Sequence, residues 1–372
     1  MRIIHFSDTH LGFQAFDAVN TEGVNAREQD VYDAFAYVVG RILTLKPDVV
    51  IHSGDFFHRP SPSNRALTFA LEQLRRLGDR QIPLFVIAGN HETPKTVYTS
   101  PILRAFRTMP FVHSVFGDTW EKLELDGVAL HGVPHLNDLR LLDRELERLE
   151  SVSGKYNILL LHTSLGKRYL MEEYGEQVFP AAFEAKLRDF QYLALGHWHN
   201  VQQVDVHPNG WYCGSLERLS DTEIGAEKGF MILDIAPEGT CTPRFEAIPT
   251  RPWLKLELQR CFEKSIAELS LELEQFRSGV PAEAIVSLVF NDIKVEQALE
   301  LSNLQLRQLF DGCFQLLIKR RSYSDRSFVR HLDADQFDRL DLIFADYIRD
   351  KYPDNPALAD ALIGKAARYF EF

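Results

Sequence analysis

At 372 residues the chain exceeds what one hydrophobic core comfortably organises, so two domains, or one large domain with an appendage, are expected. A composition of 45% hydrophobic and 25% charged residues argues against a largely disordered chain, and no apolar run approaches the roughly 18 residues of a membrane-spanning helix. The formal charge of -12 argues against a protein that grips nucleic acid through a uniformly basic surface.

In chain order, the pattern predicts a strand from Arg2 to Phe6, a helix from Ala26 to Lys46 and a strand from Asp48 to His52. A helix from Pro62 to Gly78 and a strand from Pro83 to Ile87 follow. This alternation indicates a layered α/β fold. Each strand runs straight into a polar cluster: Ser7-Asp8 with His10, Gly54-Asp55, and Gly89-Asn90 with His91. Sites in open α/β sheets form outside the carboxyl ends of the strands, so this placement is the one expected of a catalytic centre.

Val112 to Phe116, Trp120 to Leu125 and Val128 to His131 read as short strands, the last two joined by the hairpin pair Asp126-Gly127. Asn137 to Glu150 reads as a charged surface helix. The strand Asn157 to Leu161 then delivers His162, and Tyr192 to Leu195 delivers Gly196-His197-Trp198-His199. Asn209-Gly210 and Glu238-Gly239 suggest two further hairpins.

The pattern changes near Pro249-Thr250-Arg251-Pro252. From Trp253 it predicts a strand, a helix (about Phe262 to Phe276), a strand (Ala284 to Phe290), a helix (about Ser302 to Phe310) and a strand (Cys313 to Lys319). This is a small α/β second domain without a ligand-type cluster, which suits a cap better than a catalytic body. In the tail from about Asp335, Phe337, Leu340, Phe344, Tyr347 and Ile348 fall at helical spacing. Asn355-Pro356 opens a second helix carrying Leu358, Leu362 and Tyr369. The tail either packs back on the body or docks on a partner helix. The expected domains are therefore 1–250, 251–330 and 331–372.

Asp8, His10, Asp55, Asn90, His162, His197 and His199 form a set of carboxylate, imidazole and amide donors. Such donors suit manganese, iron or zinc, whereas magnesium prefers an oxygen-rich shell. A bridging carboxylate holding two metals about 3.5 to 4 Å apart would let them share a water, generate hydroxide at neutral pH and clamp phosphate oxygens. Alternate histidines in His197-Trp198-His199 project to one side, as chelation requires. His91, next to Asn90, can face a leaving group instead and donate a proton to it. His58, three residues past Asp55, is close enough to contact substrate or support His91.

The remaining histidines read differently. His5 and His52 lie within strands and suit the core or support of the site; His113, His207 and His331 suit the surface; His131 and His135 are loop candidates that could approach the site. Cys213, Cys241, Cys261 and Cys313 are scattered, with no zinc-ribbon or disulfide spacing, and read as packing residues. A cleavable leader would discard Asp8 and His10, so a cytoplasmic location without membrane attachment is expected.

These clusters resemble the motifs of calcineurin-like metallophosphoesterases, and more narrowly those of the SbcD / Mre-eleven type of DNA double-strand-break repair nuclease. The broad resemblance rests on F-S-D-T-H-L-G (6–12), G-D-F-F-H-R-P-S-P-S (54–63), A-G-N-H-E (88–92), L-L-L-H (159–162) and L-G-H-W-H (195–199). The narrower one rests on Y-C-G-S-L-E-R (212–218), His58 and R-P-W (251–253) ahead of the cap. It implies a layered β-sandwich flanked by helices, a small α/β cap that shapes DNA and a C-terminal helix-loop-helix. It further implies two manganese ions, other divalent transition metals being the alternative, one held by Asp8, His10, Asp55 and His199 and the other by Asp55, Asn90, His162 and His197. His91 would assist leaving-group departure, and His58 would orient His91 or the scissile phosphate.

The activity so implied is a 3′-5′ double-strand exonuclease and single-strand endonuclease working by two-metal phosphodiester hydrolysis. The implied partners are DNA and an SMC-like coiled-coil ATPase of the SbcC / Rad-fifty type, docked on the tail. Two dications would move the net charge from -12 to -8, since 4 charges are added. Arg59, Arg65, Lys95, Lys167, Arg168 and Lys319-Arg320-Arg321 are candidate phosphate contacts. Glu92 stands where the family commonly has Asp, with little functional effect expected. The stretch Arg65 to Leu77 reads either as a homodimer contact or as core. Two alternatives differ in class: a phosphodiesterase acting on nucleotides or other small phosphoesters, and a scaffold that has lost catalysis.

Overall fold

The computed structural model describes residues 1–96, 98–165, 178–323, 344–345, 348–349, 351–352 and 356–366. The chain separates into two compact units, one of Met1–Glu257, Leu271–Val289 and Asn303–Lys319, the other of Leu258–Ser270, Phe290–Ser302 and the chain from Arg320 onward.

The first unit is built on strands β1 (Arg2–Phe6), β2 (Val49–His52), β3 (Leu84–Ile87), β4 (Val112–Val115), β5 (Glu121–Leu125) and β6 (Val128–Val133). They are followed by β7 (Tyr156–His162), β8 (Tyr192–Gly196), β9 (Gln202–Gln203), β10 (Gly210–Tyr212), β11 (Gly229–Asp234) and β12 (Arg244–Ala247). Helices α1 (Ala26–Leu45), α2 (Asn64–Gly78) and α3 (Leu139–Arg148) cover them. One sheet has the order β12-β11-β1-β2-β3-β4, the other β5-β6-β7-β8-β10-β9. Strands β1 to β4 are mutually parallel, as are β6, β7, β8 and β10; antiparallel strands β11 and β12, β5 and β9 extend the sheets at three of their four edges, and the parallel strand β4 forms the fourth.

Successive residues of a strand face opposite ways, and here both faces are buried, which is why β1 reads as nearly continuous apolar sequence. Ile3, Val49, Ile51, Phe85 and Ile87 meet Leu130, Ile158, Leu160 and Ala194 of the other sheet and fill the sandwich interior. Their neighbours Ile4, Val50, Leu84 and Val86 turn outward onto Val31, Phe35, Val38 and Ile42 of α1 and Ala66, Ala70 and Leu74 of α2. On the far side Leu159, Leu161, Leu193 and Leu195 pack with Leu142 and Leu146 of α3. The result is four layers, helix, sheet, sheet and helix. Ala66, Ala70, Leu74 and Leu77 of α2 are thus core, while Leu67, Phe69 and Leu71 of the same helix are only partly buried.

Local chemistry sets the helix ends. The Asn25 side chain accepts from the N–H groups of Arg27 and Glu28 to start α1, and Lys46, in the left-handed region at φ 49°, ends it. Ser63 caps α2 through the Ala66 N–H at 3.1 Å.

Strands β13 (Trp253–Leu258), β14 (Ile285–Ile293) and β15 (Gln315–Ser322) form a third sheet in the order β13-β14-β15. Helices α4 (Ile266–Ser278), α5 (Val295–Glu300) and α6 (Asn303–Leu309) accompany it, and α7 (Pro356–Ala366) follows. Helix α5 was not expected. Gln297 anchors it, donating to the carbonyls of Cys261 and Lys264 at 2.8 Å each. Of the predicted tail residues, Leu358 and Leu362 lie on α7, whereas Phe337, Leu340, Tyr347, Tyr369 and His331 fall outside the described residues. Among the described residues no helix is long and apolar enough to cross a membrane.

The expectation of a surface His207 is corrected. This residue is 5% exposed and its Nε2 donates to the Phe190 carbonyl at 3.0 Å. His131 is also buried, with Nε2 at 2.9 Å from Asn157 Oδ1 and its ring against Trp120 and Phe190, which takes it away from the strand-end clusters. His5 is fully buried between Tyr192 OH at 3.0 Å and Ser53 Oγ at 2.8 Å.

Burial pushes the His5 imidazole down to about 3. The unfolded chain, with a histidine near 6.5, then binds a proton that the folded chain refuses, so stability falls as pH drops below that value. Between pH 6.5 and pH 5 the loss from this residue alone is about 2 kcal/mol. Urea unfolding should accordingly show a shallower acid decline for His5→Gln than for the parent, and identical slopes would refute the assignment.

Candidate metal centre

Strands β1, β2 and β3 are adjacent and parallel, so the loops after them emerge side by side, carrying Asp8 and His10, Asp55, and Asn90 and His91. In the second sheet the parallel strands β7 and β8 bring His162, the last residue of β7, beside the loop carrying His197 and His199. The loops are fastened together: the N–H groups of Asp8, His10 and Leu11 donate to the carbonyls of Gly54, Asp55 and Phe56, each at 3.0 Å. Asp8, His10, Asp55 and His197 hold φ values of 50°, 49°, 56° and 100°. Non-glycine residues in that region cost on the order of 1 kcal/mol or more each, and such strain gathers at functional sites.

All seven donor candidates are brought together. Asp55 Oδ2 lies 3.2 Å from His162 Nε2 and 3.6 Å from His10 Nε2, between the contributions of the two sheets. His10 Nε2 and His199 Nε2 face each other at 3.2 Å. Asn90 Oδ1 is 2.9 Å from His162 Nε2 and 3.2 Å from His197 Nδ1. The Asp8 carboxylate accepts from the His197 N–H at 3.0 Å and from Ser7 Oγ. Asp8, His10 and His199 can point one ligand atom each at a common ion, and so can Asp8, Asp55 and His162.

The glycines of the motifs make this convergence possible. A Cβ on Gly89 would overlap Asp55 Oδ1, and one on Gly54, which sits at φ 97°, would overlap the His162 ring.

Electrostatics agree with the geometry. Burial resists charge on Asp55, but the charge and hydrogen bond of His162, followed by the charges of His10 and His91, hold its carboxyl well below the ordinary carboxylate range. Burial likewise opposes a cationic His162, and Asp55, Asp8 and the Ser53 carbonyl outweigh it, raising the imidazole to about 9. Burial pushes His10 well down. Lone pairs of imidazole, carboxylate and amide groups thus face one another across a few ångströms, an arrangement stable only with a proton or cation between them. The donor set fits divalent transition metals: Asp8 belongs to both groups, and Asp55 lies between His162 of one and His10 of the other. When bound, such ions polarise phosphate oxygens and lower the pKa of water.

His91 stands beside this set. Its Nδ1 lies 2.9 Å from the His58 carbonyl, and a carbonyl only accepts, so Nδ1 carries the proton and Nε2 is left for substrate. Its N–H donates to Asp55 Oδ1 at 2.9 Å. The His58 ring stacks on His91 with centroids 5.0 Å apart, and its Nδ1 faces His10 Nδ1 at 3.3 Å. Burial, with the charges of His91 and Arg59, lowers His58 to about 4, so this ring is neutral. His58 therefore reaches His91 through its main chain and its ring face.

His52 supports the loops, its Nε2 lying 2.9 Å from Thr9 Oγ1. His135 donates its N–H to the Ala88 carbonyl at 2.8 Å, at the base of the Gly89-Asn90 loop. Arg59 and Lys95 are exposed on the site loops; Arg65 is 3.8 Å from Glu28, Lys319 pairs with Asp221, Arg320 donates to the Leu301 carbonyl and Arg321 to Asn291. Lys167 and Arg168 fall outside the described residues.

Sequence reasoning missed the work done by Glu92. Its Oε1 accepts from the Phe56 and Phe57 N–H groups and its Oε2 from the Gly89 N–H at 3.0 Å, tying the Asp55 loop to the Asn90 loop. Its position directly after Gly89-Asn90-His91 was the available signal.

A family model described as calcineurin-like phosphoesterase matches residues 1–201, more than half of the chain. The DNA double-strand break repair protein Mre11 of Thermoplasma acidophilum is 31% identical over 291 residues, covering 74% of this chain and 72% of that protein. The Mre11 protein of Methanococcus maripaludis is 26% identical, with 95% and 92% covered. That of Sulfurisphaera tokodaii is 35% identical, with 61% and 57% covered. With this match and the strand-end donors in place, the chain belongs to the calcineurin-like phosphoesterases, hydrolases of phosphoesters that use a dimetal centre.

Proposed function

We propose that this chain is a manganese-dependent DNA nuclease of a double-strand-break repair complex, with 3′-5′ exonuclease activity on duplex DNA and endonuclease activity on single strands. The observation that carries the reading is the complete donor set at the ends of both sheets, in a chain similar over most of its length to proteins named for DNA double-strand break repair. Asp8, His10, Asp55 and His199 hold one ion; Asp55, Asn90, His162 and His197 hold the other. His91 gives its Nε2 proton to the departing oxygen, leaving the neutral ring with its Nδ1 proton on the His58 carbonyl, and His58 keeps that ring in place.

Residues 1–250 serve as the nuclease domain, 251–330 as a cap that shapes DNA, and 331–372 as the docking segment for an SMC-like coiled-coil ATPase. The protein works in the cytoplasm. With a net charge of -12, its hold on DNA rests on the metals, on exposed Arg59 and Lys95 and on the partner. A homodimer, if formed, uses a face other than the buried side of α2.

The test is a panel comparing end-labelled linear duplex DNA, single-stranded circles and small phosphodiesters with manganese, magnesium or chelator. Manganese-dependent shortening of the duplex is expected. Turnover of the small diesters alone would replace this reading with the small-phosphoester alternative.

A further inference from the structure

Behind His199 lies a buried ion pair that belongs to none of the sequence motifs. Glu223 and Lys228 are 2% and 1% exposed and bonded to each other. Glu223 Oε1 accepts from His199 Nδ1 at 3.0 Å and from the Leu219 N–H at 3.2 Å, while its Oε2 accepts from Ser215 Oγ at 3.1 Å. Lys228 Nζ has three partners, as many as its protons: Glu223, Ser215 Oγ at 2.9 Å and the main-chain carbonyl of His199 at 2.7 Å. The same carbonyl accepts from the Ser215 N–H at 3.0 Å.

Two consequences follow from this geometry. A carboxylate can only accept, so the proton of a neutral His199 sits on Nδ1 and the Nε2 lone pair is turned toward His10 Nε2, 3.2 Å away. The lysine, meanwhile, grips His199 twice, directly at its carbonyl and through Glu223 at its ring. A buried ion pair is seldom more stabilising than apolar side chains of the same volume, so stability alone is a poor reason for one here. Orientation of a metal-binding imidazole by a carboxylate is a reason, because it fixes both ring position and tautomer.

We propose that Glu223 and Lys228 are positioning residues for metal binding: Glu223 sets the tautomer and angle of His199, and Lys228 holds Glu223 and the His199 main chain in one arrangement. The proposal rests on His199 being a ligand, as in the reading above.

The experiment uses the full chain, stripped of metal. Long-range proton-nitrogen spectra of the imidazoles, assigned with His199→Ala, read the tautomer without any activity; a proton on Nδ1 is expected, and a neutral His199 protonated on Nε2 overturns the proposal. Calorimetric titration with manganese chloride then follows the variants. Glu223→Ala is expected to weaken one of two metal equivalents by about 10- to 100-fold and leave the other unchanged. The paired variant Glu223→Gln with Lys228→Met, which keeps an acceptor for Nδ1 and removes both charges, is expected to recover the part of that affinity that the Nδ1 acceptor supplies, its shortfall from the parent being the part Lys228 supplies, and to fold even where the alanine variant does not. Parent-like binding of both equivalents by Glu223→Ala refutes the proposal, as does a folded paired variant no better than alanine. If His199→Ala itself keeps both equivalents, the ligand assignment of His199 fails instead; if it loses one while Glu223→Ala loses none, only this inference fails.

Discussion

Changing Asp55 to asparagine is expected to reduce phosphodiester hydrolysis by about a thousandfold or more, equivalent to roughly 4 kcal/mol of lost transition-state stabilisation. The substitution is nearly isosteric. An amide oxygen can still accept the His91 N–H that Asp55 Oδ1 now holds at 2.9 Å, so the Asn90-His91 loop keeps its place. The Oδ2 position, lying between His162 Nε2 and His10 Nε2, instead becomes an NH2 group that offers protons where a shared ion needs a lone pair. Metal content measured after dialysis should fall with activity, while thermal unfolding of the metal-free variant should show an intact fold. A variant that retains two metals and turns over at the parent rate would remove Asp55 from its proposed bridging role.

His91→Asn should separate chemistry from metal binding. It is expected to lower the catalytic rate by about a hundredfold or more, the usual contribution of a positioned proton donor, with metal stoichiometry unchanged. The N–H that reaches Asp55 belongs to the main chain and survives the substitution. A His58→Ala variant sharpens the comparison, because the bond to His91 Nδ1 comes from the His58 carbonyl and also survives. The milder effect should therefore be at position 58, through loss of the stacked ring. Single-turnover cleavage of a labelled oligonucleotide measures both. If His91→Asn cleaves as fast as the parent with its metals in place, the acid role is refuted.

Much of this was legible because the strands are buried on two faces. Such strands are short, mostly apolar runs, so each run of β1, β2, β3, β7 and β8 ends visibly where polar donors begin. Parallel pairing then carries the clusters to the same edge without further information. Features that depend on packing rather than pattern were not legible. His207 looked like a surface residue until the Phe190 carbonyl was seen to receive it, and α5 is too short for periodicity, held as it is by Gln297. Glu223 and Lys228 are common charged residues in a loop-rich stretch; only the folded chain brings them behind His199. The role of the His58 carbonyl was hidden for a simpler reason, since a main-chain group leaves no mark in a sequence.

The donors are divided between the two sheets, four residues following β1, β2 and β3, and three at the ends of β7 and β8, where His162 is the last residue of β7 and His197 and His199 follow β8. A chain emerging from synthesis offers Asp8, His10, Asp55 and Asn90 long before His162, His197 and His199 exist. No part-made sandwich can therefore assemble the hydrolytic centre that the finished one holds. Ions bound across the two halves would also act as a clasp on the closed sandwich, adding stability in proportion to RT ln(1 + [metal]/Kd) and leaving whenever the halves part. For a phosphoester hydrolase, such an order of events works as a safeguard: hydrolytic capacity is acquired last during folding and surrendered first during unfolding.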